Sequence, residues 1–128
     1  MKPYTLNIEQ ETLENTDYRR VLYTTPLSQL VLMSLAPGEE IGTETHTLDQ
    51  FIRIEAGTAT AVLDGQEHSL PADWAVIVPA GTEHNILNNG TEPVKLYTIY
   101  TPPEHKHDTV QPTKADAREE HFDGVVGE

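Results

Sequence analysis

The sequence predicts an all-β barrel or sandwich. Its 128 residues suit one domain with a single hydrophobic core. Gly, Pro and Asn recur at short intervals, and the runs between them are rich in Val, Ile, Leu, Thr and Tyr. Short β-branched and aromatic runs separated by turn residues are typical of antiparallel sheets, whose strands are joined by hairpins.

Nine short runs are candidate strands. They are residues 18–24, 29–35, 43–46, 50–55, 59–63, 66–70, 74–78, 84–88 and 94–100. The pair Asp64-Gly65 separates the fifth run from the sixth and is a strong signal for a two-residue hairpin. Asn89-Gly90 separates the last two runs in a similar way, so the candidate strands are closely connected.

Helix is predicted at only two places. The first is a short N-terminal helix over residues 8–15. The second is a helix over residues 114–121, because Thr113 with Asp116 three residues later resembles a capping box. A further strand is expected over residues 4–8. We therefore divide the chain into residues 1–28, N-terminal strands and a short helix that pack on the barrel, residues 29–101, the barrel, and residues 102–128, a polar tail with a short helix.

Composition excludes several classes of function. The net charge of −13 repels nucleic acids and anionic membranes, and the basic residues do not cluster along the sequence, so neither partner is expected. The chain has no cysteine, which excludes disulfides, thiolate metal sites and thiol nucleophiles. No apolar run approaches the roughly 20 residues that cross a bilayer, and the N-terminus resembles no secretion signal. We expect a cytoplasmic protein.

Four side chains at suggestive spacings are candidate metal ligands: Glu44, His46, Gln50 and His84. Glu44 and His46 stand two residues apart, so they share a face if the segment is extended. A buried carboxylate needs a cation or a proton, and a metal ion would also account for the neighbouring imidazoles. The alternative is a hydrogen-bonded polar core without metal.

Alternation along two runs supports an inward orientation of two of these candidates. In the run over residues 50–55, Gln50, Ile52 and Ile54 share one face of the strand. His84 is in phase with Ile86 in the same way. The amide and the imidazole are therefore expected to point into the barrel.

These residues resemble the motifs of the cupin superfamily, small double-stranded β-helix (jelly-roll) barrels. The first cupin motif contains a His-x-His pair, a later Glu and a closing glycine, and the corresponding places hold Glu44, His46, Gln50 and Gly57. The second motif contains a Pro-x-Gly, a His and a later Asn, and the corresponding places hold Pro79, Gly81, His84 and Asn88. The resemblance covers about residues 31–100.

Two departures from the family pattern change the ligand set. Glu44 stands where cupins usually have His, and Gln50 stands where they usually have Glu. The resulting set of two His, one Glu and one Gln is similar to the two-His-one-carboxylate arrangement, so the resemblance implies one divalent transition metal ion, either Fe, Zn, Mn or Ni. A glutamine in this place also occurs in some sugar-acid cupins that assist ring opening of unsaturated uronates.

Two functions follow as hypotheses from the resemblance. The first is a metal-dependent enzyme, an isomerase or lyase or a dioxygenase, that acts on a small polar molecule such as a sugar acid, keto acid or phenolic by Lewis-acid catalysis. The alternative is a non-catalytic cupin that binds or senses a small molecule. A homodimer is expected, with the N-terminal strands as candidates for pairing.

Other polar residues are assigned to the surface or the core. His105, His107 and His121 are expected in a solvated tail, with a cap over the barrel mouth as the alternative. Arg53 is expected to face outward in an ion pair or an interface. Tyr100 is expected to serve in packing.

Overall fold

The computed structural model describes residues 1–127, and it confirms the all-β prediction. The described residues form one α-helix, α1 (Ile8–Glu14), one short 3-10 helix (Lys114–Asp116) and nine strands. The strands are β1 (Arg19–Thr24), β2 (Gln29–Leu35), β3 (Asp49–Ala56), β4 (Thr58–Leu63), β5 (Gln66–Pro71), β6 (Ala75–Val78), β7 (His84–Leu87), β8 (Val94–Thr101) and β9 (Val110–Gln111). None of the helices described is long and apolar enough to cross a bilayer.

The strands form two antiparallel sheets. One has the order β6-β3-β8-β2-β1-β9, and the other has the order β5-β4-β7. The core contains fully buried side chains from both sheets, including Ile52 and Ile54 of β3, Ala61 of β4 and Leu96 of β8. This is the double-stranded β-helix that the motifs imply.

The alternation predicted for β3 is confirmed. Gln50, Ile52 and Ile54 are buried, whereas Phe51 and Arg53 between them are partly exposed. Arg53 pairs with Glu55 at 2.8 Å, as expected for an outward-facing arginine. The strand therefore carries Gln50 into the interior.

Three predicted elements differ from those observed. Residues 4–8 form no strand, and instead the ring of Tyr4 stacks on Tyr23 with centroids 4.9 Å apart. Residues 43–46 form a single bridge at Glu44 rather than a strand. The capping box of Thr113 and Asp116 is present, but the helix lasts only to Asp116, because residues 114–121 offer no apolar stripe to pack against the barrel.

The tail from residue 102 packs on the barrel. Strand β9 pairs with β1, where Arg19 lies opposite Gln111. His105 is buried, with only 9% of its surface exposed, so the prediction of a solvated tail is wrong for this residue. The backbone N–H of Phe122 donates to the carbonyl of Glu104, which holds the end of the tail close to the barrel mouth.

Candidate metal centre

The four predicted ligands line one small cavity inside the barrel. Gln50 lies on β3 and His84 begins β7, whereas Glu44 and His46 lie in the connection between β2 and β3. Two backbone hydrogen bonds of 2.9 Å join Glu44 to His84, which brings that connection against β7. The cavity holds about 10 Å³, room for roughly one water molecule or ion.

Both histidines are oriented through their Nδ1 atoms. Nδ1 of His84 lies 2.9 Å from the carbonyl oxygen of Thr82. Because a carbonyl only accepts, Nδ1 carries the proton there and Nε2 keeps its lone pair. Nδ1 of His46 lies 3.5 Å from the carboxylate of Glu104. Metal-binding histidines are commonly held by oxygen atoms in this way.

Gln50 supplies an oxygen without a partner. Its Nε2 donates a hydrogen bond of 3.0 Å to Oγ1 of Thr98, which fixes the amide. Its Oε1 is buried and accepts no hydrogen bond from the described residues. An unpaired buried acceptor costs about 1–3 kcal/mol. A cation or a donor in the cavity would remove that cost.

Glu44 and His46 are in direct contact. Oε2 of Glu44 lies 3.2 Å from Nε2 of His46. Two ligand atoms at about 2.1 Å from one ion, at right angles to each other, also lie about 3 Å apart. The side chain of Glu44 is 40% exposed, so it has room to turn. This pair fits a divalent cation by donor type and spacing, and the free oxygen of Gln50 fits it by donor type.

The arrangement is nevertheless not a preformed cage. Among residues 1–127, no three His, Asp or Glu side chains stand together as a metal-binding group. The rings of His46 and His84 are 5.1 Å apart between centroids, tilted by 50°. A metal at this centre would therefore need small side-chain movements, chiefly of the exposed Glu44.

Tyr100 and His105 lie beside this cavity and were not predicted as site residues. Tyr100 lines the cavity, and its ring meets that of His46 edge to face at 6.1 Å. Its hydroxyl shares a hydrogen bond of 3.4 Å with Nε2 of His105. Tyr100 follows Leu96 and Thr98 at spacings of two on β8, so alternation could have placed it inward.

Burial keeps both of these groups uncharged. Desolvation raises the pKa of Tyr100 above its usual value, so the phenol keeps its proton. Desolvation, together with the positive charge of Arg19, lowers the pKa of His105 to about 3. The imidazole is therefore neutral near pH 7.

Glu104 is the third residue that the sequence did not reveal. One of its oxygens faces His46, and the other lies 2.9 Å from Nδ1 of His121. No local pattern marks Glu104, since it follows two prolines in the polar tail. Of the three tail histidines, His105 and His121 thus reach the barrel mouth, whereas His107 lines neither the small cavity nor the larger one beside it.

A larger cavity lies between the barrel mouth and the tail. Its volume is about 370 Å³, which suits a small organic molecule. Glu44 lines both cavities, so the larger one lies directly beside the four candidate ligands. Its other walls include Tyr18, Arg19, Glu104 and His105.

Comparison with known proteins gives matches over most of the chain. A family model described as "Cupin domain" matches residues 31–100. The uncharacterized protein YrkC of Bacillus subtilis (strain 168) is 45% identical over 123 residues, which are 91% of this chain and 66% of that protein. The uncharacterized protein L612 of Acanthamoeba polyphaga mimivirus is 49% identical over 107 residues, 80% of this chain and 67% of that protein. The chain thus spans about two thirds of the length of these curated relatives.

Two further matches are a crystal structure and a curated protein. The crystal structure of BH2720 from Bacillus halodurans is 43% identical with a TM-score of 0.88, over 90% of this chain and 92% of that one. The tetracenomycin polyketide synthase protein TcmJ of Streptomyces glaucescens is 29% identical over 85 residues, 62% of this chain and 57% of that protein.

Proposed function

The chain belongs to the cupin family, and we propose that it is a metal-dependent enzyme that acts on a small polar organic molecule. The observation that carries this proposal is the small cavity shared by Glu44, His46, Gln50 and His84. The buried amide oxygen of Gln50 has no partner, and the imidazole of His84 has its Nδ1 already hydrogen-bonded, which leaves Nε2 free. Both features are typical of side chains that bind a cation.

The residues around the cavity have separate roles in this proposal. A bound divalent cation would act as a Lewis acid toward a carbonyl or carboxylate of the substrate. Glu104 orients the ring of His46 through Nδ1. Tyr100 keeps its phenolic proton, lines the small cavity and packs edge to face against the ring of His46. The 370 Å³ cavity admits the substrate from the side of the tail.

Elemental analysis of protein purified without added metal tests this proposal. We expect close to one divalent ion per chain, bound by the wild type and lost in both His46→Ala and His84→Ala. The matched control is His68→Ala, because His68 is exposed on β5 and should leave the metal content unchanged. Metal content that survives in both cavity variants would contradict the proposal.

A second candidate function is a non-catalytic binding or sensing cupin. The contact of His46 with two carboxylates, Glu44 and Glu104, favours it, because these groups could satisfy one another without metal. A screen of sugar acids, keto acids and phenolics separates the two candidates. Stoichiometric binding without turnover supports the sensor, and turnover of any of them supports the enzyme.

The expected homodimer also remains a proposal. Of the two N-terminal strands expected to pair across a dimer, residues 4–8 form no strand, and β1, from the expected strand over residues 18–24, lies between β2 and β9. The outer face of the larger sheet nevertheless presents an apolar group. Phe51 lies opposite Ile77, and its ring is 6.2 Å from that of Tyr97. Light scattering at micromolar concentration tests the dimer, and a monomeric mass would contradict it.

A further inference from the structure

Basic residues that are scattered in the sequence meet in the larger cavity. Of the eight Lys and Arg residues in the chain, Arg19, Lys114 and Arg118 line this one space. They come from β1 and from the tail, some 95 residues apart in the sequence (114 − 19 = 95). Four carboxylates line the same cavity, those of Glu44, Glu104, Glu119 and Glu120, so attraction of an anion depends on a cation that none of them neutralises.

Arg19 is the unusual member of the group, because it is buried without a counter-ion. Only 6% of its surface is exposed. Its Nη1 donates to the amide oxygen of Gln111 at 2.7 Å, and its Nε has no partner. Within residues 1–127 no carboxylate lies within ion-pairing distance of its guanidinium. A buried charge is costly unless it is paired, so this one lacks a partner that a ligand could supply.

Lys114 adds a second cation to this wall, held against the same aromatic ring as Arg19. The guanidinium carbon of Arg19 lies 5.2 Å from the ring centroid of Tyr18, and Nζ of Lys114 lies 5.5 Å from the same centroid. Tyr18 thus has two cations against one ring. Lys114 is anchored by a hydrogen bond from its Nζ to the carbonyl of Glu40.

We propose that Arg19 binds the carboxylate of a small organic acid in this cavity, with Lys114 as a second positive group. The proposal rests on the proposed function and gives its substrate class, since the reacting end of the acid would lie toward Glu44. A planar carboxylate matches the fork of a guanidinium. A doubly charged phosphate is disfavoured, because four carboxylates line the same space, those of Glu44, Glu104, Glu119 and Glu120.

Calorimetry on the metal-free full-length chain tests this proposal. The probes are benzoate and glucuronate, each compared with its neutral amide. We expect at least one acid to bind one to one and its amide to bind at least about tenfold more weakly, because a hydrogen bond to a charged group is worth more than a neutral one. Arg19→Gln should weaken binding of the acid by at least about tenfold. Lys114→Gln should weaken it about threefold.

The neighbouring arginine provides a matched control. Arg20 has a side chain that is 54% exposed and lies 3.7 Å from Asp17, so Arg20→Gln removes the same charge from the outside of β1. Its affinity for the acid should equal that of the wild type. If Arg19→Gln does not fold, the affinity for the acid is measured in Arg19→Lys and Lys114→Gln. Arg19→Lys keeps the charge without the guanidinium fork, and Lys114→Gln changes only the tail.

Four results would overturn the proposal: no binding of either acid at about 10 mM, equal binding of acid and amide, equal losses in the Arg19 and Arg20 variants, or tighter binding of methyl phosphate than of the acids. The metal is absent from these experiments. Loss of carboxylate binding with normal metal content therefore rejects only this proposal, and the reverse result rejects only the metal centre.

Discussion

The barrel wall and the C-terminal tail both place side chains at the candidate metal centre, but they do so with different chemistry. The wall provides candidate ligands, Gln50 on β3 and His84 on β7, held by ladder hydrogen bonds. The tail provides Glu104 and His105, which contact His46 and Tyr100 rather than the centre itself. Ligand identity and ligand orientation are thus separable in this fold, and substitutions in the two regions should affect different measurements.

Gly57, at the turn between β3 and β4, gives the largest expected effect, on the stability of the wall. Its φ is +80°, and an added Cβ would lie 2.5 Å from the carbonyl oxygen of Pro93. Gly57→Ala should therefore cost about 3 kcal/mol or more of unfolding free energy, measured by denaturant titration. The control is Gly65→Ala, which has a similar φ of +83° but an open environment, and should cost only about 1–2 kcal/mol. Equal losses would contradict the close approach.

Glu104→Gln tests the orienting role of the tail. Removing the charge that faces Nδ1 of His46 should weaken divalent metal binding about 10- to 100-fold and leave the barrel folded. Competition with a chelator measures the affinity. His121→Gln removes the other partner of Glu104 and should have little effect. An unchanged affinity in Glu104→Gln would show that the tail does not influence the ligands.

Gln50→Glu changes the wall in the opposite direction. A carboxylate in place of the amide adds a negative charge beside Glu44, His46 and His84, so divalent metal binding should tighten about tenfold. The metal-free variant should be less stable than the wild type, because the new charge is buried. Equal or weaker metal affinity by calorimetry would place Gln50 outside the ligand set.

Near neutral pH the smallest expected effect is a pH dependence from His105 in the tail, and it grows as the pH falls. Burial lowers its pKa to about 3 when folded, against the ordinary value of 6.5, so below pH 6.5 the unfolded chain binds a proton that the folded one does not. Stability should fall as the pH drops from 6.5 toward 3, with a contribution of up to about 1.4 kcal/mol per pH unit. His105→Asn should flatten the dependence of stability on pH between 6.5 and 3. The control His68→Asn, on exposed β5, should not.

The wall was predictable because its information is local. Alternation in β3 and around His84 requires only the two-residue period of a strand, and it placed Gln50 and His84 inward correctly. The turn residues separated the strands for the same reason. The same period could have placed Tyr100 on the inner face of β8, where it lies opposite Gln50 of β3. From the sequence, Tyr100 is expected to serve in packing alone.

The tail was not predictable, because its contacts depend on long-range packing. Glu104 reaches His46 across 58 residues of sequence (104 − 46 = 58), and no periodicity links the two. The same holds for Arg19, whose burial depends on its pairing with Gln111 in β9. The basic residues that appear scattered in the sequence cluster only because the tail returns to β1.

The most direct test of the metal centre is X-ray diffraction from crystals of the protein loaded with a divalent transition metal, with anomalous data at the metal absorption edge. The account predicts one anomalous peak per chain in the small cavity, at about 2.0–2.5 Å from Glu44, His46, His84 and Oε1 of Gln50. An ion bound only outside this cavity, or a cavity occupied by water alone in protein shown to contain metal, would contradict it.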